Sequence, residues 1–281
     1  GVAVLLSSLG GVGMWSVVAA LPAVQADFGV TRADAPLPFS LSMIGFALGG
    51  VLWGRVADRI GVMLPVMVGA LALGLGYAAA AWAGSLWHFA LAYGVLIGLF
   101  GCSATFVPLI ADTSLWFERR RGIAVTLCAS GNYIAGAVWP PVVEHFVGTV
   151  GWRQTHLGIA MFCVATMLPL SLLLRRRAPG VGGGAASAVA RSAPASLGLS
   201  PGSLQAVLAV AGVCCCVAMS MPQVQIVAYC GDMGYGVAHG ARMLSLMLGM
   251  GVISRLGSGL IADRIGGVGT LILGSTLQCL T

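Results

Sequence analysis

Long apolar runs separated by short polar gaps set the plan of this chain. The runs cover about 2–24, 39–53, 62–83, 86–111, 122–141, 157–174, 205–229 and 239–262, and a further one opens at Val268. Several reach the roughly 20 residues that a helix needs to cross about 30 Å of hydrocarbon. Barrel strands would instead alternate over about 10 residues, and no such alternation is present. The predicted fold class is an all-α, polytopic membrane protein. Small residues recur inside the runs, at Gly10 and Gly13 and again at Gly45, Gly49 and Gly50, a spacing that lets a neighbouring helix approach closely.

The gaps carry a repeat. Gly259-Leu260-Ile261-Ala262-Asp263-Arg264-Ile265-Gly266 nearly reproduces Gly54-Arg55-Val56-Ala57-Asp58-Arg59-Ile60-Gly61, at an offset of 205 residues (263 minus 58). The same offset lays Asp27-Phe28-Gly29 on Asp232-Met233-Gly234 and Gly69 on Gly274. Between the copies, residues 175–204 open with three Arg and are rich in Gly, Ala, Ser and Pro, which predicts a flexible linker. The expected organisation is a six-helix bundle over 1–174, the linker over 175–204, and spans seven to nine over 205–281. The chain opens at Gly1 and closes at Thr281, each inside an apolar run, and is read as a fragment. No basic stretch precedes the first run, so it does not read as a signal peptide.

Composition adds the solvent. A chain that is 58% hydrophobic and 8% charged, with mean hydropathy +0.98, has more apolar side chain than one water-soluble core could hide. All 14 basic residues are Arg. Ten lie on one predicted side (Arg55, Arg59, Arg119, Arg120, Arg121, Arg175, Arg176, Arg177, Arg191, Arg264) and three on the other (Arg32, Arg153, Arg242). The positive-inside rule makes the first side cytoplasmic, with loops 54–61, 112–121, 175–204 and 259–267. The clusters at 119–121 and 175–177 then read as orientation anchors, not as nucleic-acid or headgroup sites. The eight cysteines include Cys214, Cys215 and Cys216 in one apolar run, and no CxxC spacing occurs, so neither disulfides nor a metal site are expected.

The Gly54-x-x-x-Asp58-Arg59-x-Gly61 loop, echoed after a central linker with six spans before it, resembles the loop signature of the major facilitator superfamily. The phrases Trp116-Phe117-Glu118-Arg119-Arg120-Arg121-Gly122-Ile123-Ala124, Ser130-Gly131, Pro140-Pro141, Gly151-Trp152-Arg153 and Leu197-Gly198-Leu199-Ser200-Pro201-Gly202 resemble its bacterial branch of oxalate/formate antiporters and monocarboxylate porters. That resemblance implies a major-facilitator-type bundle with about nine of twelve helices present, a monomer, an inner-membrane location and a small-molecule substrate. It also implies loops that latch the cytoplasmic side during alternating access, and the twelve-helix plan of related repeats is already established for that superfamily. Two departures stand out: Val62-Met63 replaces the usual basic pair after the first signature, and the fifth span lacks the Gly-Pro pair of proton-coupled drug antiporters.

Candidate gate residues are Gly54, Asp58, Arg59 and Gly61 with Gly259, Asp263, Arg264 and Gly266. A carboxylate at Asp58 or Asp263 can accept from free backbone N–H groups and favours the positive end of a helix dipole, which serves a plain cap and a gate alike. Gly54 and Gly61 are expected to form a tight turn around Asp58. Trp15, Asn132, Tyr133, Gln223, Gln225 and Tyr229 are polar or amphipathic residues of the first, fifth and seventh spans, read singly as interhelical glue and together as a cavity lining. Asp112 reads as a surface ion-pair partner of Arg119 to Arg121. Arg255, eight residues before Asp263, is the one charge well inside a span, about 12 Å along the helix from the loop. Such an Arg snorkels, pairs with an acid, or serves function. In the resembled carboxylate porters an Arg four residues before the loop glycine binds the substrate carboxylate, the relation of Arg255 to Gly259; the acid one turn earlier in some of them is Gly251 here.

The expected function is secondary active transport of a small mono- or dicarboxylate, with transport of another solute class as the alternative and a non-transporting sensor behind it. An enzyme would need a nucleophile with its base or clustered ligands; His88, His145, His156 and His239 are expected outside spans or at their ends, without such spacing. No cofactor is expected.

Overall fold

A backbone in hydrocarbon must satisfy its own polar groups, and a chain of apolar runs does so by forming helices. The structure, a computed structural model, describes residues 1–31, 34–116, 121–175 and 201–280. Spans one to six are Val2–Phe28, Leu37–Ile60, Met63–Ala81, Leu86–Trp116, Gly122–Val150 and Trp152–Leu172, each long and apolar enough to cross a membrane. Span seven is the 32-residue helix Pro201–Asp232, span eight is Val237–Gly266, and Val268–Leu277 begins span nine. Outward faces stay apolar, with Leu75 65% and Met161 70% exposed, as a lipid solvent requires.

Every expected span is present, but several helices run past their expected ends. Span two continues through the signature to Ile60, because Arg55 to Ile60 contains no breaker, and it stops only at Gly61 (φ 90°, ψ 173°). Span five continues through Pro140 and Pro141 to Val150. Span six then starts at Trp152, after Gly151 (φ 88°, ψ 157°). The expected loop 144–156 thus shrinks to a single glycine, since that conformation is nearly closed to residues with a Cβ and one such residue suffices to separate two helices. The linker residues 176–200 and the residues 117–120 lie outside the described set.

The repeat is visible in the backbone. Gly29 and Gly234, one offset apart, both have positive φ (61° and 82°), as do Gly61 and Gly266 (90° and 81°). Span four contains a π-helical stretch, Ala92–Cys102, that lies hard against span two. A Cβ on Gly98 would fall 2.5 Å from the Ser42 carbonyl oxygen, and Gly45 and Gly49 abut the Gly94 and Leu99 carbonyls. Trp53 Nε1 donates to the Leu99 carbonyl at 3.0 Å. Gly45 and Gly49 therefore permit the close approach their spacing predicts, whereas Gly50 meets only Val107.

Candidate functional site

Spans five and eight form a seam at which Trp15, Asn132, Tyr133, Arg255, Gly259 and Asp263 meet. A side chain on Gly136 would strike Leu248 and the Trp15 ring, one on Gly251 would strike Tyr133, one on Gly259 would strike Thr126, and one on Gly122 would strike Asp263. Descending span five from 136 to 122 ascends span eight from 248 to 263, so the helices run antiparallel in register. At each of these points a glycine accepts a larger partner, which is how helices approach closely where lipid offers no hydrophobic drive.

Arg255 lies in the middle of this seam. Its guanidinium carbon stands 4.3 Å from the centroid of the Tyr133 ring, within the range of a cation–π attraction. The ring itself rests on Gly251, where an ideal Cβ would sit 2.5 Å from Tyr133 Cδ1. One residue back on span five, Asn132 meets span one: Trp15 Nε1 donates to the Asn132 carbonyl at 3.0 Å and to its side-chain oxygen at 3.3 Å. Trp15 is 5% exposed. Trp15, Asn132, Tyr133 and Arg255 are thus joined through spans one, five and eight. Among the described residues no carboxylate lies within ion-pair distance of Arg255.

Span seven contributes differently. Its Val227 backbone packs on Gly240 of span eight, while Gln225 and Tyr229 are exposed and Gln223 is half-buried. Among the described residues no hydrogen bond or ring contact ties these three to the Arg255 cluster.

At the end of the seam the duplicated loop makes a specific contact. Asp263 accepts from the backbone N–H groups of Gly122 at 3.1 Å and Ile123 at 3.3 Å. These are free donors of the first turn of span five, so the carboxylate caps a helix of the other repeat, not the one that follows it in sequence. Gly259, one turn earlier, fits against Thr126. Asp58, Arg59 and Arg264 are exposed, and among the described residues no hydrogen bond or ion pair holds them. The expectation of a tight turn at both Gly54 and Gly61 is corrected: Gly61 has the conformation, but Gly54 is inside the helix and a Cβ there would meet nothing. Asp112 is hydrogen-bonded by Trp116 Nε1 at 3.1 Å. Its expected partners Arg119 and Arg120 lie outside the described residues.

A buried polar network, not evident from the sequence, links spans one, three, four and six. His156 is fully buried and lies inside span six, not at a span end. Its Nδ1 lies 2.7 Å from the Trp152 carbonyl oxygen; a carbonyl only accepts, so Nδ1 carries the proton and Nε2 of the neutral ring accepts from Tyr93 O–H at 2.9 Å. Tyr93 in turn meets Ser16 at 3.3 Å, and Ser16 meets Tyr77 at 2.6 Å. Four helices are knitted by one directional chain, closed by the rings of Phe89 and Trp152. The available signal was Gly151, which as a single-residue break puts His156 one turn inside a helix.

The long apolar helices, the duplicated loops and the five-to-eight seam invite comparison with known proteins. Residues 3–281 match the family model of the Major Facilitator Superfamily. The chain belongs to that superfamily. Human monocarboxylate transporter 11 is 29% identical over 254 residues, covering 87% of this chain and 51% of that protein. The MFS-type transporter pytF of Aspergillus terreus is 27% identical over 230 residues, 81% of this chain and 75% of that protein. Mouse monocarboxylate transporter 6 is 32% identical over 145 residues, 50% of this chain and 30% of that protein. The chain spans about half the length of monocarboxylate transporter 11. Among solved structures, the proton:xylose symporter XylE bound to 6-bromo-6-deoxy-D-glucose aligns over 95% of this chain and 54% of its own, at 14% identity and a TM-score of 0.45.

Proposed function

We propose that this superfamily member works as a secondary active transporter that moves a small organic anion, a mono- or dicarboxylate, across the inner membrane by alternating access, with Arg255 as the anion's seat. The observation that carries the reading is the position of Arg255: a guanidinium halfway along an apolar helix, held on an aromatic face with no carboxylate beside it among the described residues. Placing Arg at mid-membrane costs at least about 2.5–3.5 kcal/mol on insertion scales, so an uncompensated one calls for an anionic partner. Its planar fork suits a carboxylate bidentately. The monocarboxylate transporters among the relatives favour the same substrate class.

Around this seat Trp15 and Asn132 fix span one to span five, and Gln223, Gln225 and Tyr229 of span seven complete the cavity lining. The Asp263 cap joins the two repeats at the cytoplasmic end, so releasing it from Gly122 and Ile123 would open that side, with Asp58, Arg59, Gly61, Arg264 and Gly266 serving the paired loops. Residues 176–200, between span six and span seven, act as the cytoplasmic linker between the bundles. Uptake and binding of pyruvate and oxalate by the full-length protein, with Arg255→Gln and Arg255→Lys at matched expression, test the reading. Both variants should lose at least about tenfold in affinity, the 1.5–3 kcal/mol of a charge-assisted hydrogen bond. Undiminished binding in both overturns the assignment.

A further inference from the structure

We propose that Tyr133, seated on Gly251, is a positioning residue that holds the Arg255 guanidinium by its face and so leaves its in-plane N–H donors free for the substrate carboxylate. The inference rests on Arg255 being the anion's seat and says how that seat is kept ready.

Arg255 has no acidic neighbour on its own helix face. The residues one turn away are Gly251, Val252, Ser258 and Gly259, so no acid in helical register can neutralise or orient it. A free Arg side chain carries about 2 kcal/mol of rotamer entropy, and a seat that had to be ordered by each substrate would lose that much affinity. An acidic neighbour would order the side chain but would also take up two of its donors, in competition with the ligand. An aromatic face attracts the cation without accepting any N–H in the guanidinium plane. Tyr133 supplies that face at 4.3 Å.

The position of the ring is itself fixed. It lies across the bare Cα of Gly251, with Cδ1 and Cε1 2.5 and 2.6 Å from where a Cβ would project. Any side chain at 251 must therefore push the ring off the space it occupies under Arg255. From the other side, the Trp15 bonds to Asn132 and the fit of Gly136 against Trp15 hold this part of span five in place. The absence of an acid at 251 and the presence of a tyrosine at 133 are thus two aspects of one arrangement: the glycine makes room for the ring, and the ring does the holding.

The test measures binding of pyruvate and oxalate by isothermal titration to the full-length protein in nanodiscs. Tyr133→Leu, which removes the face, and Gly251→Ala, which displaces it, should each weaken binding about 2- to 30-fold, the affinity equivalent of one cation–π contact. Tyr133→Phe should restore most of what Leu loses, because the face and not the hydroxyl is used. In an Arg255→Gln background, Tyr133→Leu should have no further effect, which a merely structural role for the ring would not produce. Wild-type affinity in both Tyr133→Leu and Gly251→Ala, alongside a binding defect in Arg255→Gln, overturns this inference and leaves Arg255 as the seat. A Phe variant as weak as the Leu variant also overturns it. Wild-type affinity in Arg255→Gln instead removes the seat, and this inference falls with it.

Discussion

Replacing His156 by Phe should destabilise the protein, and replacing Tyr93 by Phe as well should undo much of the damage. Phe nearly preserves the shape of the imidazole among Phe89, Tyr77 and Trp152, whose ring centroids stand 5.5–5.7 Å from it, so packing changes little. What changes is the Tyr93 hydroxyl. It donates to His156 Nε2 at 2.9 Å, it is fully buried, and its other neighbour, Ser16, is at 3.3 Å. Leaving a buried donor without an acceptor costs about 1–3 kcal/mol. Polar pairs within membrane bundles measure lower, about 0.6 kcal/mol on average and 1.7 at most, so about 1–2 kcal/mol is the working figure. For a chain of this size each kcal/mol moves the midpoint by roughly 2–4 °C, and His156→Phe should melt about 2–8 °C below the parent. The double variant removes donor and acceptor together while keeping both rings, and should recover at least half of that loss. The assay is thermal unfolding of the purified protein in one detergent, followed by circular dichroism. A single variant within 1 °C of the parent, or a double variant less stable than the single, would refute the reasoning.

Two further outcomes follow from the loops. Gly61→Ala forces a Cβ into a conformation nearly reserved for glycine and should cost about 1–3 kcal/mol, whereas Gly54→Ala, in open space within a helix, should be neutral or gain about 0.5–1 kcal/mol; melting of the two variants side by side decides it, and equal losses would contradict the assigned helix end. Asp263→Ala should raise amide hydrogen exchange at Gly122 and Ile123 about 5- to 30-fold, the equivalent of about 1–2 kcal/mol for a lost cap, while Asp263→Asn, which keeps an acceptor, should raise it less; unchanged exchange in Asp263→Ala would mean the cap is not formed in solution.

The span plan was legible because it depends on a sum over about 20 residues, which tolerates individual exceptions. Helix ends depend on single residues and were legible only in part. Pro140 and Pro141 suggest a stop, yet the helix continues to Val150, because neighbouring helices and local adjustment can accommodate a proline in a membrane span. Gly151 gives a weaker cue than a proline pair, but it makes the actual break. Placing the break at the prolines puts His156 in a loop and hides the Ser16–Tyr77–Tyr93–His156 chain, whose members are far apart in sequence and come together only through packing.

The candidate site divides along the same line. Arg255 announces itself, since an intramembrane charge is conspicuous in any sequence with so few. Its partner does not: Tyr133 is 122 residues away, and nothing in the spacing says that its ring fills the place left by Gly251. The 205-residue repeat helps to separate the two kinds of information. Where the copies agree in conformation, at Gly29 and Gly234 and at Gly61 and Gly266, the shared residue answers a backbone requirement, a positive φ that recurs because the turn recurs. Where they disagree, the scaffold places no such demand. Position 255 falls on Gly50, which meets only a Val107 methyl 3.3 Å from its would-be Cβ, so the fold that accepts glycine in one copy does not require arginine in the other. Asp263 and Asp58 form an intermediate case: the residue is the same in both copies, but only Asp263 finds helix-end donors among the described residues, because span five lies beside it. Identity of sequence in the two copies therefore does not by itself secure the contact: the carboxylate is a cap only where a helix start, with its free N–H groups, packs beside it.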